Sequence, residues 1–171
     1  LTISNVSSSD IESNSATITW TTDESSDSKV EYGTTTNYGS SVTSTSNVTS
    51  HSLSITDIVS STLFHFRVWS SDSENHNTVI TRDYTFTTTG LATPTISSST
   101  HVESVATSNA NPSFSWDQVG DPDVVDFKYM LYPYESSWKS TSSTSVSYSG
   151  VPDGTYTFKL KAYDVLKGSL W

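Results

Sequence analysis

A chain of 171 residues with no Cys and a formal net charge of -10 has room for one large or two small domains. It excludes a disulfide framework, thiolate metal centres and a cysteine nucleophile; its acidity opposes binding to nucleic-acid phosphates; and no apolar run reaches the ~18–20 residues of a membrane-spanning helix. Only 15% of residues are charged, against 37 Ser and 27 Thr, but 12% are aromatic, which supplies the burial that a disordered chain lacks.

The first residue is Leu, so the chain reads as a processed product or a piece of something longer. Along it, apolar residues alternate with period two, the signature of strands with one buried face. Ala16, Ile18 and Trp20 share a face in "SATITWTT", and Val30 and Tyr32 in "SKVEYG". Leu53 and Ile55 follow in "HSLSIT". "TLFHFRVWS" sets Phe64, Phe66 and Val68 against Leu63, His65, Arg67 and Trp69, and "RDYTFTT" gives Tyr84 and Phe86. Gly90 and Pro94 then punctuate "TTGLATP" as a linker over residues 90–93.

A second set of strands begins after the linker. Phe114 and Trp116 share a face in "PSFSWDQV". Phe127, Tyr129 and Leu131 oppose Lys128, Met130 and Tyr132, and Val146 and Tyr148 mark the next run. Tyr156, Phe158, Leu160 and Ala162 point inward against Thr157, Lys159, Lys161 and Tyr163. Short strands at such spacing, separated by turn residues, predict an all-β chain of two tandem antiparallel β-sandwiches. Their spans are residues 1–89 and 94–171.

On these residues the first half resembles a fibronectin type III domain of the bacterial or archaeal surface type. "SATITWTTDESSDSKVEYGTTTNYG" and "LFHFRVWSSDS" carry the likeness. It is also similar to the sandwich preceding the catalytic domain of purple acid phosphatases. The resemblance implies a tyrosine corner at the start of strand F, where this chain has Phe64. The second half resembles bacterial immunoglobulin-like or fibronectin-like domains through "PSFSWDQV" and "VPDGTYTFKLKAYD", with Tyr156 at the corner. Only "VLKGSLW" follows Asp164, so the last strand, G, is expected to be missing or a stub. Either the chain stops early, another copy supplies the strand by β-addition, or the start of the second domain fills the open edge.

Asp117, Asp121, Asp123 and Asp126 lie close together in "DQVGDPDVVD". They are a Ca²⁺ candidate, because Ca²⁺ takes several carboxylate oxygens; a solvated acidic turn is the competing reading. Asp72, Glu74, Asn75 and His76 fall in a loop after strand F that serves either a cation, a partner or ordinary turn chemistry. The four His, at 51, 65, 76 and 101, lack metal-ligand spacing, and His65 is expected to sit in water on an outward face. Tyr132, Tyr134 and Trp138 are candidates to stack on sugars or anchor an interface, the alternative being that Trp138 folds over the sheet edge. Trp69 is a similar candidate, or packs at the domain junction. Asn5 and Asn47 head glycosylation sequons. Neither a strained nucleophile turn nor a phosphate loop is present in the sequence.

These features point to a non-catalytic extracellular or cell-surface module, structural or adhesive, with other copies, neighbouring sandwiches, surface glycans or proteins as partners. Neither nucleic acid nor membrane insertion is expected, and no cofactor beyond the Ca²⁺ candidate. A filament subunit joined by strand addition is the sharper form. The alternatives are an accessory region of a secreted hydrolase, such as a phosphatase or glycosidase, and a carbohydrate-binding module built on Tyr132, Tyr134 and Trp138.

Overall fold

The computed structural model describes residues 1–72, 74, 77–101, 109–119 and 125–165. It is all-β among them and divides into two compact units, Leu1–Gly90 and Leu91–Trp171. Leu91, placed in a linker by its neighbours Gly90 and Pro94, instead packs against the core of the second unit.

The first unit contains β1 (Ile3–Ser9), β2 (Ala16–Gly33), β3 (Ser40–Ile55), β4 (Leu63–Ser71), β5 (Thr78–Ile80) and β6 (Tyr84–Thr87). Sequence alternation marks Ala16–Thr22 and Lys29–Gly33 as separate strands; they are the two ends of one 18-residue strand. The early half of β2 pairs with β1 and with the late half of β3, Ile18 opposite Leu53. Its late half pairs with the early half of β3 and with β4, Val30 opposite both Val42 and Val68. Register shifts between Thr21 and Ser28 mark the crossing. Bulged strands that pass from one layer to the other close the corner of a sandwich. Here they make one continuous six-stranded sheet, in which a β1–β2–β3 layer passes into a β3–β2–β4 layer that β5 and β6 extend along β4.

Between the layers lies a core of Ala16, Ile18, Trp20, Val30, Leu53, Ile55, Ile58, Phe64, Phe66, Val68 and Phe86, all buried. Phe64 stacks on Phe86 with 5.5 Å between centroids, so its strand start is held by packing where the resemblance has a tyrosine. At the far edge of the layer, Gly33 lets the chain turn back on itself: a Cβ there would lie 1.6 Å from the Tyr38 carbonyl oxygen. This close approach seats Tyr38 beside Arg67.

The second unit has two three-stranded sheets. One runs β7 (Ile96–Ser97), β8 (Ser113–Trp116), β11 (Ser145–Ser147); the other runs β10 (Lys139–Thr141), β9 (Val125–Tyr132), β12 (Thr157–Asp164). Their facing sides bury Trp116, Val119, Val125 and Phe127 together with half-buried Phe114, Phe158 and Leu160. Phe114 stacks on Phe158 at 4.1 Å, and Trp116 meets Phe127 edge-on at 5.7 Å. Among the described residues β12 pairs with β9 alone. Residues 166–171, where strand G was expected to be absent, lie outside the described residues.

Tyr156 makes the corner that its position implies: its hydroxyl donates to the Pro152 carbonyl at 2.9 Å. Its hydroxyl oxygen also lies close over Gly154, where a Cβ would come within 3.0 Å. Tyr156→Phe is expected to cost the second unit about 1 kcal/mol, the net worth of one such bond. Urea denaturation with hydrogen exchange at the Phe127 amide measures it, while the Phe66 amide of the first unit stays unchanged.

Candidate functional site

Of the expected acidic site, Asp117 and Asp126 are among the described residues. Asp121 and Asp123 lie outside them. Asp117 accepts the Thr95 amide, so it tethers the start of the second unit to the end of β8. Asp126 accepts the Tyr163 hydroxyl at 3.5 Å. Of the loop after β4, Asn75 and His76 lie outside the described residues; Asp72 is buried and forms a β-bridge with Ser26. Asn5 and Asn47 are both exposed, and the Asn5 amide donates to Thr21 Oγ1 at 3.1 Å.

On the outer face of β2 and β4, the first unit carries a closed ladder of charges. Glu31 accepts from Lys29 at 2.7 Å, from Arg67 Nε at 2.8 Å and Nη2 at 2.7 Å, and from the Trp69 indole at 3.0 Å. The Lys29 bond leads in holding the Glu31 carboxyl below its ordinary range, against the cost of burial, with Arg67 and Trp69 adding to it. The Arg67 guanidinium lies 4.7 Å from the Tyr38 centroid and 5.2 Å from that of Trp69. Tyr38 donates to Asp83 at 3.1 Å, and Asp83 meets His65 at 2.8 Å. His65, expected to sit in water, is therefore paired and 23% exposed. Trp69, a candidate interface residue, is a bonded rung of its own sheet. The shallow cleft of about 270 Å³ beside the ladder is walled by Glu31, Tyr38 and Arg67; Arg67 already bonds Glu31, and the Tyr38 hydroxyl bonds Asp83.

Inside the same unit, His51 is an unexpected polar core residue. It is 2% exposed and stacks on Trp20 at 4.8 Å with planes 2° apart. Its Nε2 bonds Thr22 Oγ1 at 2.9 Å and its Nδ1 bonds Ser28 Oγ at 2.7 Å. Burial pushes its pKa down, partly opposed by Asp27. Sequence alternation contains the signal, since His51 shares a face with Leu53 and Ile55.

The second unit presents a different kind of surface. Register puts Lys128 opposite Lys161, Met130 opposite Lys159 and Tyr132 opposite Thr157, and opposed residues share one face. Phe127, Leu131, Phe158 and Leu160 occupy the other face, toward the core. Trp138, one residue before β10, joins the outward set. Each lysine there lies over a ring: Lys159 over Tyr132 at 4.5 Å, Lys161 over Trp138 at 4.6 Å, Lys128 over Tyr163 at 5.0 Å. Tyr132 is 52% exposed and Trp138 40%, so Trp138 does not fold away as satellite core.

The structure separates Tyr134 from this pair. After the cis Tyr132–Pro133 bond the chain turns, and Tyr134 meets Tyr148 and Tyr156 edge-on at 6.2 and 6.3 Å. The turn is held by Glu135, which accepts from the Leu131 amide at 2.7 Å and the Tyr148 hydroxyl at 2.9 Å and is ion-paired with Lys139. Burial raises the Glu135 pKa, but Lys139, the Leu131 amide and Tyr148 together hold it below the ordinary glutamate value. The candidate site is therefore Tyr132 and Trp138 with Lys128, Lys159, Lys161 and Tyr163.

The family model of the Y_Y_Y domain matches residues 119–169. No curated protein matches the chain significantly. Among solved structures, the chain is similar to the sensor domain of the anti-sigma factor RsgI4 of Pseudobacteroides cellulosolvens, with 21% identity over 53% of this chain and 95% of that one and a TM-score of 0.37. It is similar to the FN1–FN3 domains of chicken CNTN1, with 15% identity over 94% of this chain and 60% of that one and a TM-score of 0.41. It is similar also to a two-domain fibronectin type III segment of chicken tenascin, with 11% identity over 95% and 90% and a TM-score of 0.43. By its own strand pairing, the chain is two all-antiparallel β units in tandem, the second of which carries the Y_Y_Y match.

Proposed function

We propose that the chain is a non-catalytic module of an extracellular protein, two sandwiches in series that hold other parts at a distance. The observation that supports this most is the closure of its ionisable clusters. Glu31, His51 and Glu135 each spend their polar atoms on neighbours in their own unit. A general acid, base or nucleophile needs a proton or lone pair directed at a substrate. Hydroxyl-rich outward faces and a net charge of -10 suit a surface that stays soluble outside the cell.

Single-molecule stretching of the chain tests the mechanical reading. Two unfolding peaks are expected, each releasing roughly 300 Å of contour at ~3.3–3.6 Å per residue. Extension without discrete peaks contradicts the role. Protease shaving of intact source cells tests the setting; recovery of the chain only from the cell interior would remove it.

A further inference from the structure

We infer that the outward face of β10, β9 and β12 is a docking surface for an anionic polysaccharide, a uronate-bearing chain. Its sugar rings stack on Tyr132 and Trp138 while its carboxylates meet Lys128, Lys159 and Lys161. This goes beyond the spacing role and does not depend on it.

The core does not require this face. Phe127, Leu131, Phe158 and Leu160 are satisfied on the other side of the sheet. Directly opposed like charges weaken a strand pair, yet Lys128 faces Lys161 across β9 and β12. Each lysine lies over a ring on this face, and two of those rings remain substantially exposed to water. The opposed charges cost stability in the unliganded protein, offset in part by the lysine–ring contacts; with the exposed rings they favour a ligand that brings negative charge and a flat apolar surface.

Charge complementarity selects an anion. Three of the eight basic residues of a chain with net charge -10 gather here, against Asp126 as the acid on the same face. Residues 1–90 hold ten of the acidic residues and three of the basic ones.

The side-chain types favour a sugar polymer over a protein. Lysine is depleted in protein interfaces, which enrich arginine and bury apolar anchors. Among the described residues of β9, β10 and β12 the face has neither an arginine nor an exposed aliphatic side chain; its apolar centre, Met130, is 8% exposed. A uronate ring carries a carboxylate beside a face of C–H bonds, and each ammonium here sits beside an aromatic plate. Nucleic acid offers stacking too, but its dense phosphates oppose the charge of the whole chain.

Affinity electrophoresis of the full chain through gels containing polygalacturonate tests the proposal. The wild type should be retarded, less so as salt rises. Lys159→Gln with Lys161→Gln, and separately Trp138→Ala, should each weaken binding roughly thirtyfold, the loss expected at an interface hot spot. Arg82→Gln, which lies elsewhere on the surface, should bind as wild type. Thermal melts of the variants confirm the fold, and the lysine pair decides if Trp138→Ala fails to fold. Absence of retardation, equal retardation by neutral dextran, an equal loss in Arg82→Gln, or tighter binding to oligothymidine would each overturn it. So would self-association without polymer that the lysine substitutions abolish, since the occupant would then be a second copy.

Discussion

Replacing Trp20 by Ala should cost the first unit about 3–5 kcal/mol, the range for deleting a large buried aromatic, and leave the second unit folded. Trp20 is 1% exposed and central to the core. Its ring supports the buried His51 imidazole in parallel stacking, and its indole N–H donates to Ser70 at 3.0 Å. Ser70 in turn donates to the Asp27 carbonyl, where the chain crosses between layers. The substitution therefore removes the core's largest side chain and loosens the polar joint of the crossing strands. Set against a typical domain stability of ~5–15 kcal/mol, the loss brings the first unit close to unfolding. Hydrogen exchange reads the two units separately: the Val30 and Phe66 amides should lose protection while Phe127 keeps it. A loss below about 1 kcal/mol, or loss of protection at Phe127 to the same extent, would refute the description of two independent cores.

Much of this core is legible in the sequence because alternation alone decides which side chains are inward. Ala16, Ile18 and Trp20, then Phe64, Phe66 and Val68, then Phe127 and Leu131 all take the side that their period-two pattern predicts. Alternation is silent where a strand has few apolar residues. Ser40 to Ser50 holds only Val42 and Val48 as apolar positions, yet it forms most of β3 because Val30 and Lys29 of β2 supply its ladder partners. There tertiary pairing overrides local composition. The same gap hides the continuity of β2: Asp23, Glu24 and Ser25 read as a turn, and the structure uses them as an exposed bulge.

The candidate site is less legible for a related reason. The pattern identifies Lys128, Tyr132, Lys159, Lys161 and Tyr163 as outward one by one. What makes them a surface is register, which sets residue 128 opposite 161 and 130 opposite 159. Register depends on turn geometry and pairing partners that a single strand does not encode. Tyr134 shows the converse failure. Proximity in sequence grouped it with Tyr132 and Trp138, but the turn after Pro133 sends it to Tyr148 and Tyr156.

Acid should soften the first unit through His51 before its carboxylates respond. The imidazole is neutral when folded, since burial lowers its pKa below the ordinary value of 6.5. The unfolded chain then binds more protons than the folded one below that value, so stability falls as pH falls. This contribution is intact above about pH 6.5 and is lost progressively until the lowered folded value is reached. The lowered carboxyls, Glu31 of the first unit and Glu135 of the second, act in a separate window: their contribution is held above about pH 4.5 and lost below it. His51 therefore contributes a pH slope that begins just below pH 6.5, above the carboxyl window. His51→Phe keeps a flat ring for Trp20 but leaves the hydroxyls of Thr22 and Ser28 without their imidazole partner. It should cost about 1–3 kcal/mol at neutral pH, the penalty for an orphaned buried polar group, here Ser28 Oγ, since Thr22 keeps its bond to the Glu24 carbonyl. It should also flatten the dependence of first-unit stability on pH just below 6.5. Hydrogen exchange at Phe66 across that range measures both effects, with Phe127 as the internal reference. Parallel wild-type and variant slopes would show that the stacked imidazole is not the group that titrates.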